Sequence, residues 1–180
     1  HLGALWQDES LFAEAEALVA LLPPLIEQDE YLDVVLGSAG CIGGLISLYH
    51  CRPSRATLQA AIQCGERLLA TATRTERGLG WVTPSSGGHA LAGFSHGAAG
   101  YAWALLELAA LTGQERFRIA AHAAIAAERG LFDEAAGNWR DLRHPEGGAG
   151  TVAWCHGAPG VGLGRLLCLP HLDDAEVREE

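Results

Sequence analysis

The chain has 180 residues, enough for one domain with a real core, and carries a formal net charge of −10. That charge, with no stripe of Lys and Arg, excludes a basic nucleic-acid footprint, and a 49% hydrophobic content excludes a disordered acidic polymer. No apolar run reaches the roughly 18–20 residues a membrane span needs, and no secretory signal opens the sequence.

Taken along the chain, Glu9 to Leu22 reads as a helix closed by Pro23-Pro24, the second helix of a pair that starts earlier. A helix over about 38–50 follows Gly37-Ser38-Ala39-Gly40 and stops before Pro53. Ser54 is placed to cap the next one, from Arg55 to about Thr73. His96 to Leu111 is predicted helical, broken at Thr112-Gly113, and its partner runs from Glu115 to Arg129 with Gly130 as C-cap. His156 to Leu169 gives another, and Asp173 or Asp174 would open its partner. The long segments 74–95 and 130–154 are Gly-rich loops with short strands expected near Trp81-Val82 and Trp139-Arg140.

The pattern repeats with a period of sixty: Gly37-x-x-Gly40, Gly97-x-x-Gly100 and Gly157-x-x-Gly160 each open an apolar helix. The units fall at about 33–92, 93–152 and an incomplete 153–180, with 1–32 as the end of a preceding hairpin. Helices after the glycine motif are apolar nearly all round and belong inside. Their partners carry charge on one face, Glu66 and Arg67 on one and Glu115, Arg116, Arg118 and Glu128 on the other, and belong outside. The fold class is therefore all-α, an α/α barrel or solenoid of helical hairpins. Absence of Met reads as an internal piece of a longer protein.

Chemistry-bearing residues gather at the starts of the inner helices: Asp33 before Gly37, His96 before Gly97, and Cys155-His156 before Gly157. A Cys, two His and an Asp on one rim can supply a metal ligand, a general acid/base and an orienting carboxylate. The five cysteines show no Cys-x-x-Cys, which favours a reducing compartment, with Cys41, Cys64 and Cys168 as small buried apolar residues and Cys51 the same by default. Trp81, Trp103 and Trp139 read as anchors of core or loop, and His122 as solvent-facing; His89 lies in the loop just ahead of His96. Paired carboxylates for glycoside hydrolysis are not found, since Asp141 and Glu146 are loop residues without a partner pattern.

Three segments carry a family resemblance. Asp33-Val34-Val35-Leu36-Gly37-Ser38-Ala39-Gly40 resembles the D-V-x-x-G-x-A-G segment of LanC-type lanthionine cyclases. His96-Gly97-Ala98-Ala99-Gly100 resembles their H-G-x-A-G segment, and Trp154-Cys155-His156-Gly157-Ala158-Pro159-Gly160 their W-C-x-G-x-P-G motif. His156 with Gly162-Leu163-Gly164-Arg165 looks closer to the cyclase part of fused LanM (class II) synthetases, where an N-terminal dehydratase domain precedes it.

The resemblance implies an α/α toroid of seven hairpins, roughly three of them in these 180 residues. It implies Michael addition of a peptide Cys thiol to dehydroalanine or dehydrobutyrine in lantibiotic biosynthesis, on a precursor peptide with a leader, in a bacterial cytoplasm. It implies a zinc ion (Zn2+) with Cys155 as one ligand, the second Cys and a His being expected beyond Glu180. His96 and Asp33 match the proton-handling His and its carboxylate, and His156 takes a pocket-lining place. Thr151 stands where stand-alone members have an Arg. The piece alone is expected to aggregate, bind zinc weakly and be inactive. The alternative is a peptide- or thiol-binding module without cyclase activity.

Overall fold

A computed structural model describes residues 2–143, 151–172 and 175–179. His144, Pro145 and Glu146, and the helix start at Asp173 and Asp174, lie outside the described residues. The architecture is all-α: α1 (Leu2–Trp6), α2 (Glu9–Val19), α3 (Leu22–Glu27), α4 (Ser38–Cys51), α5 (Arg55–Thr71), α6 (Ala98–Thr112), α7 (Glu115–Arg129), α8 (Gly157–Cys168) and α9 (Ala175–Glu179). Two short antiparallel ribbons decorate it, β1 (Thr73–Arg74) with β2 (Leu79–Gly80), and β3 (Phe132–Asp133) with β4 (Asn138–Trp139). No described helix is long and apolar enough to cross a membrane.

Helices α4 with α5 and α6 with α7 are hairpins, and α4, α6 and α8 pack side by side as the inner row. Local chemistry sets the boundaries. Ser54 accepts the Thr57 amide at 3.1 Å and caps α5. Gly113 ends α6 in the left-handed region at φ 68°, where a side chain is disfavoured. Helix α6 is buried through ten residues from Ala98 to Ala109, whereas α8 leaves Leu166 exposed on one flank. Trp81 anchors its loop in the core: its ring stacks on Tyr101 at 4.3 Å and its Nε1 donates to the Leu68 carbonyl at 2.9 Å.

Several expectations need correction. Cys51 is exposed rather than buried. Pro23-Pro24 does not close a helix; α2 ends at Val19, and the two prolines lie in the first turn of α3. First-turn residues have no intrahelical amide acceptor, so proline loses nothing there and its φ is already helical. The ribbon near Trp81 ends at Gly80, because Trp81 is drawn into the core. Glu128 is not on a solvent face; it is completely buried.

The glycine motif has a common physical reason. At each inner-helix start the incoming loop folds back over the first turn. A Cβ on Gly37 would lie 2.2 Å from the Leu32 nitrogen, one on Gly97 2.3 Å from the Ala92 carbonyl carbon, and one on Gly157 2.4 Å from the Thr151 oxygen. Gly40 is as tight, its Cβ meeting the Val34 carbonyl oxygen at 2.0 Å. Because that neighbour is backbone, Gly40→Ala is expected to cost about 1–3 kcal/mol and to displace the loop carrying Asp33; urea unfolding checks it, and an unchanged midpoint would refute the packing reason.

Candidate functional site

The three motif loops form one hydrogen-bonded rim. The Val34 amide donates to the Ser95 carbonyl at 3.1 Å, and the Phe94 amide donates to the Cys155 carbonyl at 2.9 Å. Residues sixty-one apart in sequence are thereby laid side by side.

Asp33 is buried and saturated. Its Oδ1 accepts the Val35 and Leu36 amides at 2.9 and 2.7 Å, an Asx-turn that fixes the carboxylate. Its Oδ2 lies 2.7 Å from His96 Nδ1. The capping and orienting roles coexist. A carboxylate accepts only, so Nδ1 carries the proton in this bond, and Nε2 keeps its lone pair as an acceptor. Gly97, not His96, is the N-cap of α6, which frees the His96 side chain from the helix.

The turn is held under strain. Leu32, next to Asp33, sits at φ 64°, a left-handed conformation unusual for a leucine. Asp29 compensates: its Oδ1 accepts the Leu32 amide at 3.0 Å, and its Oδ2 accepts the amide and hydroxyl of Ser38 at 2.7 and 2.6 Å. Arg67 in turn donates twice to the Asp29 carbonyl, so this residue of α5 serves the rim rather than a purely solvated face.

Cys155 and His156 enter from the third loop. Cys155 is partly exposed and unpaired as a thiol. The His156 ring lies 5.9 Å from the His96 ring, at 30° to it. His156 is the N-cap residue of α8, and Asn138 Oδ1 accepts the Ala158 amide at 2.7 Å to hold that helix start. Thr151 donates its hydroxyl to Asp141 Oδ2 at 3.2 Å. Among the described residues no group of three or more His, Cys, Asp or Glu can hold a metal ion. Cys155 alone does not amount to a metal site.

Two residues on the rim were not among the candidates. Asp141 and Arg143 form a bidentate pair, Nε to Oδ1 at 2.9 Å and Nη2 to Oδ2 at 2.6 Å. Arg143 Nη2 also reaches His156 Nε2 at 3.2 Å. The Arg143 bond holds the Asp141 carboxyl well below the usual carboxylate range, against the opposing effect of burial. Burial, then the Arg143 charge, pulls the His156 imidazole below its ordinary value. A depressed carboxylate adds stability that is present above its unfolded pKa and lost as pH falls through the folded one. The pair is therefore expected to persist at pH values where free carboxylates are already protonated; the Asp141 carboxyl resonance followed by NMR against pH checks this, and an ordinary midpoint would refute it. His89 is exposed, and His122 is exposed as expected.

Below the rim sits a buried ion pair. Glu128 Oε2 from α7 meets Arg165 Nη1 from α8 at 2.9 Å. Glu128 Oε1 accepts the Gly93 and Ala99 amides at 2.8 and 3.0 Å, one on either side of His96. Burial pushes the Glu128 carboxyl up, and the Arg165 charge and the two amides oppose that.

A family model described as lanthionine synthetase C-like protein matches residues 1–180. No curated protein matches the sequence.

Proposed function

Since the chain belongs to the lanthionine synthetase C-like family, we propose that it closes thioether rings in a peptide by adding a Cys thiol to dehydroalanine or dehydrobutyrine. The observation that carries this reading is the 2.7 Å contact between a buried carboxylate, Asp33, and His96 beside Cys155-His156. In the addition the sulfur bonds to the alkene Cβ, the π electrons move into an enolate, and Cα takes a proton, so no atom is lost or gained. His96 Nε2 takes the thiol proton and returns it to Cα. Asp33 holds Nδ1–H and stabilises the imidazolium formed between the two transfers.

A zinc ion would supply Lewis-acid activation of the substrate thiol, with Cys155 as one donor. The described residues alone do not complete a ligand set, and the steps above do not run through the metal. We further propose that the chain is the cyclase part of a fused class II synthetase that acts in a bacterial cytoplasm on a leader-bearing precursor. His156 and Gly162-Leu163-Gly164-Arg165 support that reading.

Ring closure leaves the peptide mass unchanged, so it is read by thiol alkylation. The full-length protein incubated with a dehydrated, Cys-containing peptide is expected to abolish alkylation of the ring-forming Cys. Peptide that binds yet stays fully alkylatable would support the binding-module alternative instead.

A further inference from the structure

We infer that Arg143, clasped by Asp141, is a positioning residue that fixes the His156 ring with its Nδ1 proton presented as a hydrogen-bond donor beside His96. A guanidinium has donors only and no acceptor. Arg143 Nη2 lies 3.2 Å from His156 Nε2, so that nitrogen accepts and keeps its lone pair. The ring proton is then on Nδ1, which has no hydrogen-bond partner among the described residues.

The clasp makes this placement durable. Both Asp141 oxygens are engaged by the Arg143 fork, the Arg143 amide adds a bond to Oδ1 at 3.1 Å, and Thr151 adds one to Oδ2 at 3.2 Å. A bidentate Arg–carboxylate pair holds a defined plane that a Lys would not.

His96 and His156 then carry their proton on the same ring nitrogen and offer opposite ends. Asp33 occupies the protonated side of His96 and leaves an acceptor. Arg143 occupies the unprotonated side of His156 and leaves a donor. With the rings 5.9 Å apart, the rim carries one acceptor and one donor close together. The use of this pair rests on the cyclase reading: His96 takes the thiol proton while His156 donates to the enolate oxygen. The placement of the proton does not rest on it.

The test is two-bond 1H–15N NMR of the histidine rings in the full 15N-labelled chain, above the imidazole titration, with His156 assigned by its loss in His156→Gln. The wild type is expected to show His156 as a single Nδ1–H tautomer, retained in Arg143→Lys, which can still donate. Arg143→Met, which cannot donate, is expected to release it to a tautomer mixture, with Asp141→Asn in between. An Nε2–H ring in the wild type, or an unchanged ring in Arg143→Met, would overturn the inference. In the ring-closure assay Arg143→Met is expected to lower kcat by about 10–100-fold with little change in KM, the size of one charge-assisted hydrogen bond, with partial rescue by Arg143→Lys. Absence of ring closure in the wild type would count against the cyclase reading alone, since the NMR result decides the tautomer by itself.

Discussion

Replacing His96 with Asn is expected to slow ring closure by about 10²–10⁴-fold, the range that a positioned proton-transfer group contributes. Asn is close to imidazole in reach and polarity but cannot shuttle a proton. The loss should appear in kcat, because the rest of the rim is unchanged. Asp33→Asn should fall in the same range for a different reason. The Asx-turn can survive in part, since an Asn side-chain oxygen still accepts the Val35 and Leu36 amides. What Asn cannot supply is a second acceptor for His96 Nδ1–H, so an amide NH₂ would face that nitrogen and favour the wrong tautomer. Rates by thiol alkylation under saturating peptide check both. A His96→Asn variant with unchanged kcat would remove His96 from the chemistry.

The second large effect concerns stability. Glu128→Ala removes the carboxylate that faces the buried Arg165 guanidinium at 2.9 Å, and loss of one member of such a buried pair usually costs about 3–5 kcal/mol. It also strands the Gly93 and Ala99 amides, each worth about 1–3 kcal/mol if left buried without a partner. These costs overlap rather than add, but together they exceed most single substitutions. The double variant Glu128→Ala/Arg165→Leu removes the buried guanidinium as well and is expected to recover part of the loss, not all of it, because the Gly93 and Ala99 amides remain unmet. Chemical denaturation of the full chain with these variants checks the account. A loss below about 1 kcal/mol for Glu128→Ala would mean that water replaces the carboxylate.

Much of the helical framework is legible in the sequence for local reasons. Ser54 caps, Pro53 stops, and Gly113 closes in the left-handed region, and each acts within a few residues of the boundary it sets. Pro23-Pro24 is ambiguous because proline both ends one helix and opens another, and only the packing of α3 decides. Glu128 was readable in principle. It continues the stripe Phe117, Ala120, Ala121, Ala124 and Ile125 at helical spacing, so periodicity places it inside despite its charge. Composition misleads there because the partner, Arg165, is thirty-seven residues away on another helix.

The site divides in the same way. Asp33 and His96 are far apart in sequence, and no local pattern joins them. The repeat and the family motifs bring them to one rim, and the structure adds the bond. Asp141 and Arg143 carry no periodicity, because they lie in a loop whose course depends on the β3–β4 ribbon and on Thr151. The missing signal is the spacing of two between an acid and an arginine in a Gly-rich loop, which is too common to stand alone. The strained Leu32 is invisible in sequence, since nothing in a leucine announces a positive φ.

The central claim is that Asp33 and His96 act as one proton-handling unit. A double-mutant cycle on the ring-closure rate tests it most directly. The account predicts that Asp33→Asn/His96→Asn is no slower than the worse of the two single variants, because either change already removes the unit. Losses that multiply, giving a double variant slower by the product of the single effects, would contradict it and make the 2.7 Å contact a structural bond only.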